Sequence, residues 1–465
     1  VKLAASISNA AGKTLASPFS WSFTTAGENW AASGTNISTD NGFAAASTIP
    51  VMATDPSGNV FAAWIDSGNS GPTIAVQMFN AATNSWNGTT TIVFSSILGS
   101  LGSLHMAAVP GAEPILTWVG LTDQSGDLGI YLSTFQLTGA AAGTWSAPVI
   151  TPLDPGSYTP TGVSLVSSGR LLTIASRMEF APQPGIYVAQ YDQVANTWNA
   201  TSIFAADATS PLRENGVATA VDATGNVTLA WVSGNSVGAH LYSATKAAAS
   251  STWSAPQQID TLTSGTIDSI ALGAGIGGTT LSWSQTSGST PPTVQVSQLS
   301  SDQTTWSPPH QLDDGSSPTG AMRSTIAIDN ARFVDVSYTQ TNTSNTVAAT
   351  DGVFLTRFDP TTSTWSGPIR MSTAGAGISS SAVAIAVDSA GNVQLFYQVG
   401  GSVAPAIYYV SNGTVVNDGV IDDPGNVPSG LANVPAVIFG RDNVATAAWV
   451  KFEPAGYFIR ADRKQ

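Results

Sequence analysis

ATAVDATGNVTLAW, residues Ala218 to Trp231, alternates along a short run, turns at Asp-Ala-Thr-Gly-Asn, alternates again and stops at a Trp. Period-two alternation on both sides of a Gly-Asn turn encodes a β-hairpin. Clear copies occur as VMATDPSGNVFAAW from Val51 to Trp64 and AIAVDSAGNVQLFY from Ala384 to Tyr397. Weaker copies run from His105 to Trp118, Gly162 to Ser176, Ser269 to Trp283, Thr325 to Tyr338 and Pro435 to Trp449, making eight in all.

A second phrase recurs between the hairpins, a Trp in a Thr/Asn/Ser setting. Its copies lie at Trp30, Trp86, Trp145, Trp198, Trp253, Trp306 and Trp365, spaced 53 to 59 residues apart. A third strand such as TIAVQMFN or GIYVAQYD precedes each phrase after the first, and a fourth such as WSAPVI leads away from it. Each unit therefore reads as a four-stranded meander, and meanders repeating at this period are the blades of a β-propeller.

Seven Trp phrases and eight hairpins are reconciled at the chain ends. SNGTVVN, Ser411 to Asn417, stands where the seventh hairpin's Trp phrase belongs, with Thr414 near the Trp position. The eighth hairpin is followed only by YFIRADR, so its fourth strand is expected from Glu28 to Ser38. Such closure removes the two open sheet edges of an unclosed ring. The expectation is an all-β, eight-bladed propeller over residues 27–465, closed by an N-terminal strand, at roughly 54 residues per blade. Seven blades is the runner-up, with the hairpin at Gly162 or Ser269 then being something else.

Composition narrows the partners. Charged residues are 9% of the chain and the net charge is −14, with 15 Lys+Arg. Phosphate backbones need a basic stripe, so nucleic acid is excluded as a partner. Cysteine is absent, which removes disulfides and thiolate chemistry. No run approaches the roughly 18 apolar residues of a membrane helix. The chain opens at Val1 without a leader, so a leader is expected to have been removed or to lie upstream.

Residues 1–26 do not follow the repeat. LAASISNAAGKTLASPFSWSFTT, Leu3 to Thr25, resembles the last two strands of a bacterial Ig-like domain, with a Gly-containing turn and a closing WSFTT strand. A lone two-stranded fragment is marginal in water. Its edges at Ile7, Trp21 and Phe23 would add to a neighbour's sheet, giving head-to-tail self-association and a filament.

The repeats resemble secreted bacterial propellers of the sialidase-like, Asp-box kind, through the D-x-x-G-N turn and the T-W-S-x-P phrase. The strict Asp-box is not reproduced, because turn Asp and Trp fall in different phrases. Sialidase chemistry would imply an arginine triad, for which Arg177, Arg213 and Arg323 stand, and a tyrosine nucleophile, Tyr158 or Tyr338. No Arg precedes Arg170, so the opening-blade arginine of that family is missing.

Read from the residues, the repeated Trp pack between neighbouring sheets, with sugar stacking by one or two copies as the alternative. Asp55, Asp222 and Asp388 bond their own turns. Calcium is the alternative there, and at Asp123 with Asp127 or Asp422 with Asp423, although none of these spacings makes a full calcium loop. His105, His240 and His310 stand apart from other ligand types, so no metal site or other cofactor is expected.

The sparse charges that converge on one channel mouth are Arg177 and Glu179 in blade 3, and Arg213 and Glu214 in the loop that follows. His105, Asp268 and Arg323 hold comparable starting positions in other blades. Structural ion pairing is the bland reading of this group. The functional one is capture of a glycan or protein by a secreted or cell-surface bacterial module for adhesion or assembly. The alternative is a secreted glycoside hydrolase or lyase with its acids at that mouth.

Overall fold

All eight hairpins form in the computed structural model of the chain. It describes residues 2–3, 19–20, 30 and 34–38, and the chain from 49 to 464 outside 67–70, 89–90, 96–100, 109–112, 122–127, 138–142, 154–158, 169–170, 180–184, 200, 206–215, 235–237, 277, 289, 316–319, 341–351, 374–382, 400–401, 418–434 and 454–455. Blade 1 consists of Val51–Thr54, Val60–Asp66, Thr73–Asn80 and an outer strand in two pieces, Ser85–Trp86 and Thr91–Ser95. All pairs within it are antiparallel. The other blades repeat the scheme, giving an eight-bladed all-β propeller.

Each innermost strand packs on the next around the ring. The last of them, Ala436–Phe439 of blade 8, meets Val51–Thr54 of blade 1. Blade 8 is completed from the other end of the chain, where Thr35 pairs with Ala461 and Asn36 with Arg460. The Ile37 amide donates to the Ile459 carbonyl at 2.9 Å, and the Ile459 amide donates to Ser38 Oγ at 3.2 Å. From blade 1, Gln77 Nε2 reaches the Ile37 carbonyl at 2.9 Å, so the closing strand is tied on both sides. The closing strand itself is the short Thr35–Asn36, within the longer stretch expected from the sequence.

The core lies between blades as one cluster per interface. Trp86 packs on the cluster shared by blades 8 and 1, Trp145 on that of blades 1 and 2, and Trp198 on that of blades 2 and 3. Trp253, Trp306 and Trp365 continue the series, each leaning back on the preceding blade. Trp30 is buried between blades 7 and 8, edge-on to Phe396 at 4.6 Å. A second aromatic series, Trp64, Trp118, Trp231, Trp283, Tyr338, Tyr397 and Trp449, lies within the second strands and inside the inter-blade clusters. A buried Trp removes about 200 Å² from water, an upper estimate of about 5 kcal/mol each. The repeat thus places its largest side chains where the sheets meet.

In blade 7 the lapsed Trp position is Val415, not Thr414. Val415 pairs with Tyr408 as Trp86 pairs with Phe79 and Trp198 with Tyr191, whereas Thr414 sits one residue earlier opposite Tyr409. A one-residue shift moves a side chain to the other face of a strand, so Val415 is the residue that packs inward.

The Asp turns hold themselves and the adjacent strand. In Asp388 one carboxylate oxygen accepts from the Ala390 and Asn392 amides at 2.8 Å, and the other from Asn392 Nδ2 at 2.8 Å. Asn392 Oδ1 then accepts from the Val410 amide at 3.2 Å. Asp55 and Asp222 repeat the arrangement.

At the N-terminus Lys2–Leu3 pairs antiparallel with Phe19–Ser20 as a two-stranded sheet of its own. Ile7, Trp21 and Phe23 lie outside the described residues. Among the described residues no helix is long and apolar enough to cross a membrane.

Candidate functional site

Every innermost strand begins at one mouth of the channel, here called upper, and ends at its turn on the lower mouth. Blades 2, 3, 5 and 6 carry a β-bulge at the upper end. A bulge adds a residue to one strand and re-aims its side chain, and bulges are common beside binding sites. In blade 6 the pairs Met322 with Thr339 and Thr325 with Ser337 leave Arg323 and Ser324 opposite Tyr338 alone.

Arg323 has φ 55°, a left-handed conformation that costs a side-chain-bearing residue of order 1 kcal/mol. Ser103 at φ 45° and Gly162 at φ 80° occupy the upper bulges of blades 2 and 3. Hydroxyl groups pin the Arg323 bulge. Ser282 of blade 5 donates to Ser324 Oγ at 2.7 Å, Thr325 and Ser337 hydroxyls meet at 2.8 Å, and Thr339 Oγ1 donates to the Met322 carbonyl at 3.1 Å. The Arg323 side chain is exposed, and among the described residues it makes no hydrogen bond or ion pair. The bulge backbone, held by these hydroxyls, therefore presents to solvent a guanidinium that is unpaired among the described residues.

Asp268 is the inserted residue of the blade 5 bulge, between the pairs Ile267 with Gln285 and Ser269 with Ser284, and it is exposed. The innermost strands of blades 5 and 6 are adjacent, so Asp268 and Arg323 stand at comparable heights on neighbouring strands. His105 follows the bulge of blade 2, four blades round the ring, and is half-buried. Burial lowers its pKa to about 4, leaving a neutral imidazole at pH 7.

The remaining expected residues fall elsewhere. Arg177 is 1% exposed within the second strand of blade 3, on the side of Ala175, which belongs to the cluster between blades 3 and 4. At that exposure it presents no charge to an open mouth. Glu179 ends that strand opposite Thr159. Its side chain lies outside the described residues, as do Arg213 and Glu214. Tyr338 is fully buried, its hydroxyl donating to the Leu312 carbonyl at 3.4 Å, and burial pushes its pKa up, which ill suits a nucleophile. Tyr158, Asp123, Asp127, Asp422 and Asp423 are outside the described residues. Among the described residues no three His, Cys, Asp or Glu gather as a metal site. His240 meets Asp260 at 3.1 Å, and His310 stacks on Trp365 with centroids 6.5 Å apart.

Two features escaped the sequence reading. Arg357 joins Asp329 at 2.6 Å and Asp335 at 2.7 Å, donates to the Gly391 carbonyl at 3.1 Å and lies 4.3 Å above the Phe333 ring, stitching blade 6 to blade 7. Its only sequence signal is an Arg on a third strand within reach of an Asp turn. The second feature is a cleft between blades 3 and 4 on the lower face, signalled by a lysine where six of the other blades carry an aromatic residue or leucine.

No family model matches the chain, and no curated protein matches it. Among solved structures it is similar to Trypanosoma rangeli sialidase in complex with sialic acid, at 9% identity and TM-score 0.39, covering 81% of this chain and 55% of that one. It is also similar to polysaccharide lyase Uly1, at 9% identity and TM-score 0.48, covering 88% of each chain. A puromycin-hydrolyzing peptidase of Mycobacterium tuberculosis is similar at 12% identity and TM-score 0.44, covering 90% of this chain and 61% of that one. No residue role passes from these proteins to this chain.

Proposed function

We propose that this protein is a secreted or cell-surface module that binds an acidic glycan at the upper mouth of its channel. One observation carries the reading: Arg323 is held in a left-handed conformation by a buried hydroxyl network, exposed and unpaired among the described residues. Strain retained at a surface cation makes sense where that cation meets a partner, and a guanidinium recognises a carboxylate through two parallel hydrogen bonds. Asp268 would accept hydrogen bonds from sugar hydroxyls on the same rim.

Cleavage is the second reading, favoured by the neutral imidazole of His105 on the innermost strand of blade 2. It ranks lower because a base whose conjugate acid has a pKa of about 4 removes protons poorly at neutral pH. Filament formation through residues 1–26 belongs to the same proposal as a means of surface assembly.

An array of acidic and neutral polysaccharides tests the reading, probed with the chain with and without Arg323→Ala, each also carrying Lys246→Met so that the lysine of the lower-face cleft adds no binding of its own. Binding to acidic members that falls at least tenfold with Arg323→Ala supports it, and unchanged binding overturns it. Appearance of new chain ends in the bound polysaccharide would put the enzymatic reading first.

A further inference from the structure

Opposite the Trp phrase, each blade places a residue that closes the gap to the blade before it. That residue is Phe79 in blade 1, Phe135 in blade 2, Tyr191 in blade 3, Leu299 in blade 5, Phe358 in blade 6 and Tyr408 in blade 7. Blade 4 departs from the rule. Its Ser254 amide donates to the Thr245 carbonyl as Ser366 donates to Arg357, so Lys246 stands opposite Trp253. Blade 8 also carries a lysine there, Lys464, but it is buried and engaged.

Lys246 extends toward blade 3 and bonds Gln190 Oε1, while Gln190 Nε2 donates to Thr173 Oγ1 at 2.9 Å. A thin, flexible lysine stem replaces a ring, and the Ala247 to Ala249 run beside it is small. A cleft of about 510 Å³ opens there, walled by Gln190, Asn199 and Thr201 of blade 3 and by Lys246, Ser250 and Trp253 of blade 4. It lies on the lower face, across the molecule from Arg323.

The cleft is of ligand size and combines an indole, several neutral hydrogen-bonding groups and one cation. Sugars are held by that combination, an aromatic wall for the ring and amides or hydroxyls for its substituents. Lys246 is half-buried, burial lowers its pKa, and among the described residues no carboxylate contacts it. A partly desolvated ammonium without a counter-charge favours an anionic partner. We infer that this inter-blade cleft is a second saccharide site that takes a carboxylate-bearing sugar unit. Lys246 meets the carboxylate, and Asn199, Thr201 and Ser250 meet the hydroxyls. The inference stands independently of the upper mouth.

Calorimetric titration of the full chain with tetragalacturonate, sialyllactose and neutral cellotetraose tests it. Three variants are compared with wild type: Lys246→Met, which keeps the stem but removes the charge, Thr201→Tyr, which fills the cleft, and Arg323→Ala. The expected result is that at least one acidic probe binds, at least tenfold more tightly than cellotetraose. That affinity should fall at least tenfold in both cleft variants and stay within twofold in Arg323→Ala. Absence of acidic-probe binding at millimolar concentration overturns the inference, as does binding that survives both cleft variants. Loss confined to Arg323→Ala also overturns it while leaving the upper-mouth reading intact.

Discussion

Gly34 lies against the indole of Trp449 so closely that a β-carbon there would stand 2.7 Å from Cη2, and 3.1 Å from the Ala461 carbonyl oxygen. Its φ of 59° is left-handed as well. The closing strand thus enters blade 8 through a position only glycine fills. Gly34→Ala should cost about 2 to 3 kcal/mol from strain and overpacking together, read as a lower urea midpoint at unchanged slope.

Ring closure begins after the N-terminal hairpin, since Trp30 and Thr35 to Ser38 make the contacts with blades 7, 8 and 1. Removing residues 1–26 should leave the thermal midpoint unchanged. Removing residues 1–38 exposes the Gly456–Arg463 edge and should lower the midpoint and produce aggregates on size exclusion. Self-association that disappears with the shorter truncation would attribute assembly to the hairpin.

Arg323 separates stability from binding. Arg323→Gly relieves the left-handed strain and should raise stability by about 1 kcal/mol while abolishing glycan binding at the upper mouth, read in a chain that also carries Lys246→Met. Denaturant melts and the polysaccharide array, run on the same preparation, check both halves.

The Asp turns need no ion. Asp388 accepts three hydrogen bonds from its own turn, so Asp388→Ala should cost about 1 to 3 kcal/mol by leaving those donors unmet. Treatment of wild type with a chelator, followed by calcium, should leave the melting curve where it was. A calcium-dependent midpoint would show that metal is held at one of the acidic positions.

His105 sets an acid limb. Its folded pKa, about 4, lies below the ordinary 6.5, so the unfolded chain takes up the proton first as pH falls. The native state therefore loses stability between pH 6.5 and 4, and above 6.5 the residue has no effect. Discounted for partial exposure, the loss is about 2 kcal/mol. His105→Gln should flatten that part of the stability profile in denaturant melts across the range.

Much of the fold was legible because blade architecture repeats local patterns. Alternation flanking a tight turn, Asp-x-x-Gly-Asn in blades 1, 4 and 7, marked the hairpins whether or not the Trp phrase was intact, which is how blade 7 was counted despite its missing Trp. The slip from Val415 to Thr414 shows the limit, because register depends on hydrogen bonding across strands and a phrase without its Trp has no anchor. Among the candidate site residues, Asp268 and Arg323 stand third in their innermost strands, near the upper end, whereas His105 is fifth of the eight residues Leu101–Ala108. Arg177 did not reach the mouth. The alternation of its strand puts it on the face of Ala175, between blades, a direction that charge and spacing do not encode.

The amino-acid sequence alone led to eight blades over a runner-up of seven, and to closure by an N-terminal strand, because both follow from counting strands of fixed period. Only the tertiary structure decided which charges are usable. Arg323, Arg177 and Arg357 are chemically the same, yet one is exposed on a strained bulge, one is enclosed between sheets and one is neutralised by two aspartates. Side-chain direction and desolvation arise from packing between blades that are distant in the chain. Lys246 makes the same point from the other side: seven residues before Trp253 it is a single letter, and only against Gln190 of the neighbouring blade does it become the wall of a cleft.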